Sequence, residues 1–343
     1  MSRTLTRGSL ATALVMMVST AASAATIFTD TFTNGSTLNP GSYPTPTSAS
    51  TGYTILSTKA ATTGPTLSSG TLRLRLNAPT NSGVLETEAT TPDATLTNPG
   101  DVLGYTVTFV NTNDLLAYST GTATPSVGSY LFFGLYNNGG STPITLNNSG
   151  LNTTASSPYA TGNAANWKGY VSRIGSAIAG TGTSNSQMYT RPLQSGAGTT
   201  SANQEVLANG ASGGTFNNPT GSNLASTAST LSPLTNGNTY TYQMLVTLNA
   251  GGSQTFASSL YSGSSAVGSP LWTQSGTAAT PLTTTYNAFA FGYRTASASP
   301  SSLNPTMDVT SVTLTIVPEP ASIAVISGLG MAALILARGR SRR

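Results

Sequence analysis

Alternation with a period of two residues is the feature that most restricts this chain. "TLRLRLN" places Leu72, Leu74 and Leu76 on one face and Arg73 and Arg75 on the other. "YTYQMLVTL" aligns Tyr240, Tyr242, Met244, Val246 and Leu248, and "AFAFGYR" aligns Phe289, Phe291 and Tyr293. "SVTLTIV" sets Val312, Leu314 and Ile316 against Ser311, Thr313 and Thr315. Each reads as a strand with one buried face. "ATIFTDTF", "GYTILS", "SGVLETE", "GYTVTFVN", "SYLFFGLYN", "WKGYVSRI" and "QTFASSLYS" are further strands, separated by the turn signals "NPGD", "NNGG", "LTNGN" and "NAGG". No helix of useful length is expected between the termini. About a dozen strands in antiparallel hairpins, without a fixed-period repeat, predict an all-β, two-sheet antiparallel jelly-roll sandwich.

Composition agrees with this reading. Only 6% of the 343 residues are charged, against about 25% in ordinary soluble proteins. Polarity comes instead from 60 Thr and 46 Ser. Thr suits strands, and Ser, Gly and Asn suit turns. A disordered low-complexity tract would lack the regularly spaced aromatic and β-branched segments. Two Ser-, Thr-, Asn- and Gly-rich stretches, near 141–166 and 176–235, read as polar loop insertions holding one or two strands each.

With no Cys, disulfides and thiolate metal sites are excluded. With no His, the usual neutral-pH proton carrier and commonest zinc ligand are missing as well. No phosphate-binding glycine loop, catalytic triad order or dinucleotide fingerprint is present, and no cofactor is expected. Six of the 13 basic residues lie in the two termini, which leaves the body from 25 to 317 with seven bases against eight acids. A near-neutral body offers no electrostatic case for binding nucleic acid.

Both termini read as addresses. Residues 1–24 have the three parts of a secretory signal: Arg3 and Arg7, an apolar stretch from Leu10 to Val18, and a small-residue cleavage site with Ala22 and Ala24. Cleavage is expected before Ala25. At the other end, 321–337 is free of charge and just long enough to span a bilayer as a helix. Pro318 and Pro320 mark its entrance. The terminal Arg338, Arg340, Arg342 and Arg343 form a cytoplasmic stop-transfer, which leaves Glu319 on the export side.

The combination of Val317, Pro318, Glu319 and Pro320, a short apolar helix and an Arg-rich tail resembles the PEP-CTERM sorting signal of exported proteins in exopolysaccharide-producing Gram-negative bacteria. The resemblance covers 317–343. It implies that an exosortase recognises Pro318, Glu319 and Pro320, processes the tail, and releases the product or transfers it to the cell surface or its matrix. The simpler alternative is a plain C-terminal anchor.

The order of strands in 25–316 also resembles the concanavalin A-like lectin and glucanase sandwich, with its laminin-G relatives. An early strand carrying "DTF", the late "TNGNTYTYQMLVTLN" and the final "MDVTSVTLTIV" carry this likeness.

Eight acids lie in the body: Asp30, Glu86, Glu88, Asp93, Asp101, Asp114, Glu205 and Asp308. Glu86 and Glu88 fall on one face of a strand, and glycoside hydrolysis uses paired carboxylates. The glucanases carry Glu-x-Asp-x-x-Glu where this chain reads "ETEATT", so the third acid is missing. The pair is therefore expected on an edge or solvent face, with no catalytic role. "NTND" at Asn111 to Asp114 has oxygen ligands at a calcium-like spacing, but it lacks the Gly and Glu of the loop motif and reads equally as a turn. Trp167, Trp272, Tyr43, Tyr118 and Tyr159 are candidates for stacking on sugar rings, with a core role as the alternative.

The sequence thus predicts an exported, non-enzymatic sandwich at the cell envelope or in the extracellular matrix, anchored by one C-terminal transmembrane segment before processing. Its expected partners are the export machinery, an exosortase, the membrane and exopolysaccharide. The alternatives are a polysaccharide-active hydrolase or lyase on the same sandwich and a calcium-dependent lectin.

Overall fold

The computed structural model describes residues 23–33, 53–57, 66–68, 70–75, 84–113, 115–116, 130–140, 166–175, 186–193, 206–207, 224, 226–229, 231, 234–294 and 305–319. Within them lie fifteen strands: β1 (Ala25–Asp30), β2 (Tyr53–Ser57), β3 (Thr66–Ser68), β4 (Thr71–Arg75), β5 (Val84–Thr95), β6 (Val102–Asn113), β7 (Tyr130–Asn137), β8 (Lys168–Gly175), β9 (Gln187–Arg191), β10 (Ser226–Ala228), β11 (Thr239–Leu248), β12 (Gln254–Ser262), β13 (Trp272–Ala278), β14 (Thr285–Arg294) and β15 (Thr306–Val317).

The strands form two antiparallel sheets. One has the order β10-β13-β12-β11-β6-β15-β4-β3, with β1 also paired to β15, and the other runs β2-β5-β14-β7-β8-β9. Every strand read from alternation is present, so the expected two-sheet sandwich is the observed architecture. Four strands were not read individually: β3, β9, β10 and β13. Of these, β9 and β10 lie inside the polar stretch 176–235, where one or two strands were expected. The expected terminal helices, and Leu76, lie outside the described residues.

The last strand organises the larger sheet. Along one side β15 pairs with β6, while its other side is shared by β4, on Thr306–Val309, and β1, on Val312–Ile316. Ala25, the first residue of β1, is thereby set opposite Ile316, near the end of the last strand.

Between the sheets lies an aromatic layer. Phe133 of β7 stacks on Tyr242 of β11 at 3.8 Å and 8°, and Tyr170 of β8 meets Phe256 of β12 at 4.1 Å. Phe289 of β14 touches Phe28, Tyr53, Tyr105 and Phe291 at centroid distances of 5.3, 6.1, 5.6 and 6.2 Å. These contacts join the two sheets and fill a layer about 10 Å deep.

Four tyrosines of this layer meet a partner for the hydroxyl. Tyr105 donates to the Ala290 carbonyl at 3.0 Å, Tyr286 to Gln254 Oε1 at 2.8 Å and Tyr293 to the Pro305 carbonyl at 2.6 Å. The Tyr242 hydroxyl bonds Ser258 Oγ at 2.9 Å. Burial holds the Tyr105 and Tyr286 hydroxyls well above the usual phenol range, so both stay neutral donors.

Between β11 and β12 the "NAGG" turn needs positive φ at Gly251 and Gly252, 88° and 86°. The two glycines supply it without strain.

Replacement of Phe289 by Ala removes a ring shared by both sheets. Chemical denaturation should show a loss of about 3–5 kcal/mol; wild-type stability in that variant would mean that the aromatic layer is not continuous across Phe289.

Candidate functional site

The outward face of the six-stranded sheet gathers five charged residues: Glu86, Glu88, Arg173, Arg191 and Arg294. Register fixes which residues share it: Glu88 lies beside Ala290, Gly134, Val171 and Tyr189 in one row across the strands. Glu86, Gly292, Phe132, Arg173 and Gln187 form the next row, and Ala288, Tyr136, Gly169 and Arg191 another. Alternation in "VLETE" sends Leu85, Thr87 and Ala89 to the opposite face.

Glu86 and Glu88 are buried, at 0% and 1% exposure, which corrects the expectation of an edge or solvent position. Their cover comes from far along the chain. Val206 N and Leu207 N both donate to Glu86 Oε1, at 2.7 and 3.1 Å, and the Tyr136 hydroxyl donates to the Val206 carbonyl at 2.6 Å. Val206 and Leu207 pack in a small apolar cluster with Tyr136, Trp167 and Tyr189.

Arg191 is buried beside the pair and donates to the Trp167 carbonyl. Burial lowers the pKa of its guanidinium, an effect opposed by Tyr136, Glu88 and Glu86. Burial likewise raises the pKa of the Glu86 carboxyl, against hydrogen bonding to Glu88, the Val206 and Leu207 N–H donors and the charge of Arg191. Two carboxyls beside one guanidinium titrate as a coupled set, and burial shifts the Glu86 carboxyl towards its neutral form. A carboxyl shifted upwards beside a second carboxyl is the pattern a general acid uses. Here, however, Glu86 Oε1 is already occupied by two backbone donors.

A second group lies on the same face. The Arg173 guanidinium sits over the rings of Tyr130 and Tyr189, at 4.7 and 5.1 Å, and donates to Gln187 Oε1 at 2.7 Å. Arg294 approaches Tyr130 at 5.9 Å. Burial, with repulsion from Arg173, lowers the Arg294 guanidinium to about 10, while Tyr130 acts in the opposite direction. Burial pushes the Tyr189 hydroxyl up to about 12.

The other sequence candidates take structural roles or fall outside the described residues. Trp167 and Trp272, at 0% and 1% exposure, are core residues and offer no surface to a sugar. Asn111 braces a turn: its Oδ1 accepts from Leu115 N at 3.1 Å and its Nδ2 donates to the Leu234 carbonyl at 3.2 Å. Asp114, Glu205, Tyr43, Tyr118 and Tyr159 lie outside the described residues, as do Ala22, Pro320, Arg338, Arg340, Arg342 and Arg343. Among the described residues no group of three acids could hold a metal ion, and no helix is long and apolar enough to cross a membrane.

Val317 ends β15 at 36% exposure, and Pro318 and Glu319 follow it on the surface. Glu319 N donates to Asp101 Oδ1 at 2.8 Å, while Asp101 Oδ2 accepts from Thr97 N and Asn98 N at 2.7 and 2.8 Å. Burial raises the Asp101 carboxyl, but the N–H donors of Asn98, Glu319 and Thr97 outweigh it and leave the group below its usual value. Gly100 is required here, because its φ is +96° and a Cβ would come within 2.7 Å of Glu319 Cδ. Ala24 is exposed immediately before β1.

Sequence reasoning missed Arg191, Arg173, Arg294, Tyr136 and Gln187 as neighbours of the acid pair. The available signal was the alternation of charge and aromatics in β7, β8 and β9, which becomes informative only once those strands are known to adjoin β14 and β5.

No protein-family model matches the chain, and no curated protein matches it. Among solved structures, an alginate lyase in complex with alginate trisaccharide is similar at 14% identity, covering 84% of this chain and 98% of that one, with a TM-score of 0.35. Lectin II from Ulex europaeus is similar at 10% identity, covering 78% and 94%, with a TM-score of 0.32. Lectin I-B4 from Griffonia simplicifolia, in its metal-free form, is similar at 11% identity, covering 77% and 92%, with a TM-score of 0.30. These likenesses decide nothing about the chemistry of this chain.

The acid pair makes stability depend on pH. Glu86 takes up a proton on folding, so its contribution is complete below its ordinary value of 4.5 and is lost as pH rises through the raised one. Asp101 works in the opposite sense and only in acid, below its ordinary value of 3.8. Glu86→Gln stays neutral and still accepts from Val206 and Leu207. Its melting temperature should therefore gain on wild type as pH rises from about 5 to about 8; parallel curves would show that Glu86 is ionised in the fold.

Proposed function

We propose that this chain is an exported, non-enzymatic protein of the cell envelope or extracellular matrix, sorted by its C-terminal signal and adhesive towards exopolysaccharide. On this reading the signal peptide is removed before Ala25. The segment 321–337 then holds the chain in the membrane until an exosortase acts at Pro318, Glu319 and Pro320.

The observation that carries the reading is the position of the two ends. Ala25 pairs with Ile316, and Pro318 and Glu319 leave the sandwich one residue beyond β15, both exposed. Both addresses are thus attached at one corner of the body, through exposed residues, a placement that suits their removal from an intact sandwich. A body with little charge and many hydroxyls suits contact with polysaccharide by hydrogen bonding.

A polysaccharide-cleaving reading ranks second. It draws on the coupled titration of Glu86 and Glu88, but burial of both carboxyls and the bonds from Val206 and Leu207 favour a latch that ties the 206–207 segment to the sheet.

Intact-mass measurement of the protein recovered from outside native cells tests the proposal. The expected species begins at Ala25 and lacks 321–343. Retention of 321–343 would reduce the tail to a plain anchor. Cytosolic protein that keeps residues 1–24 would overturn export altogether.

A further inference from the structure

The outward face of the nine-stranded sheet differs in kind from that of its partner. Thr29, Thr313, Thr106, Gln243, Ser259 and Thr273 are successive partners in a single row that crosses β1, β15, β6, β11, β12 and β13. Each of the six is half-buried or exposed. The next outward row holds Gly104, Leu245, Ala257 and Ser275, and beyond it Thr247, Thr255 and Thr277 align across β11, β12 and β13. Four adjacent strands, β6, β11, β12 and β13, contain no charged residue at all. The ion pair of this sheet, Arg73 with Asp308 at 2.7 Å, sits towards the β4 edge.

Three physical features restrict what such a face can hold. Neighbouring strands lie about 4.8 Å apart, so the row presents one hydroxyl or amide per strand at a regular step. Threonine is stiff at χ1, so its hydroxyls are set in place before any partner arrives. The side chains are short, and Gly104 keeps the surface low where Thr315 Oγ1 would lie 2.8 Å from any added Cβ. Across β6, β11, β12 and β13 the face has no Arg anchor of the kind typical of protein interfaces, and no charge with which to attract an ionic polymer.

We propose that this face, centred on the Thr29 to Thr273 row, docks an uncharged polysaccharide chain lying across the strands. The step between strands is close to the advance of one sugar ring in an extended β-linked glycan. A chain lying along the row therefore meets a fresh hydroxyl or amide at each ring. The inference rests on the adhesive reading above and deepens it: the ligand is neutral, and the contact lies on the larger sheet, away from the charged face with Glu86 and Arg173.

The test uses the full chain in detergent, with a soluble neutral β-glucan and with alginate as probes, titrated at low salt and at about 1 M salt. Wild type should bind the glucan with little change in high salt. A Thr106→Val, Thr313→Val, Thr273→Val variant keeps the β-branched shape and loses three hydroxyls, and it should bind at least about tenfold more weakly, a loss of about 1.4 kcal/mol, with an unchanged melting temperature. Gln243→Glu, which places a charge mid-row at constant volume, should show a comparable loss and serves if the triple variant does not fold. Glucan binding that both folded variants retain would overturn this face as the site while leaving adhesion intact. Binding of alginate alone, abolished by salt, would do the same. Failure of wild type to bind either probe would overturn the adhesive reading and this inference together.

Discussion

Stacking of Phe133 on Tyr242 across the gap between the sheets exemplifies the constraint on which the whole structure rests. With no disulfide available and few ion pairs possible, one continuous aromatic layer must hold the two sheets together. The layer admits many tyrosines because Ser258, Gln254 and the carbonyls of Ala290 and Pro305 meet their hydroxyls. An unmet buried hydroxyl would cost about 1–3 kcal/mol, so these polar partners are as necessary as the rings.

Once one face of every strand is committed to that layer, the opposite faces are free to differ. On the nine-stranded sheet they carry Thr, Ser and Gln in rows, with little charge. On the six-stranded sheet they carry Glu86, Glu88, Arg173, Arg191 and Arg294, interleaved with Tyr130, Tyr136 and Tyr189. Charges placed so close together need cover and compensation, and Val206 and Leu207 supply part of both through their N–H groups and apolar side chains. The hydroxyl face has no such need, since half-exposed Thr and Gln are satisfied by water or by any hydroxyl-bearing partner.

The two ends of the body are tied by the same sheet. Because β1 and β6 flank the C-terminal half of β15, the first strand of the body and the Pro318–Glu319 exit lie on adjoining strands. Asp101 reinforces this corner by accepting from Thr97, Asn98 and Glu319 at once, the arrangement that lowers its pKa.

Strand existence was legible wherever alternation was strong, as in β4, β11, β14 and β15. It faded in β13, whose inward residues are Trp272, Gln274, Gly276 and Ala278: three of the four are not large apolar groups, so the pattern is weak although the strand is paired on both sides. The acid pair shows the other limit. Adjacency of Glu86 and Glu88 on one face followed from the pleat, but their burial depends on Val206 and Leu207, about 120 positions away. Period and composition, being local, were enough to determine an all-β body with few charges, hydroxyl-bearing outer faces and an apolar inner layer. Which outer face became the charged one, what covers it, and which strands line up to make a six-residue polar row were decided by tertiary structure, because sheet order and long-range cover arise from contacts between segments whose sequences carry no mark of one another.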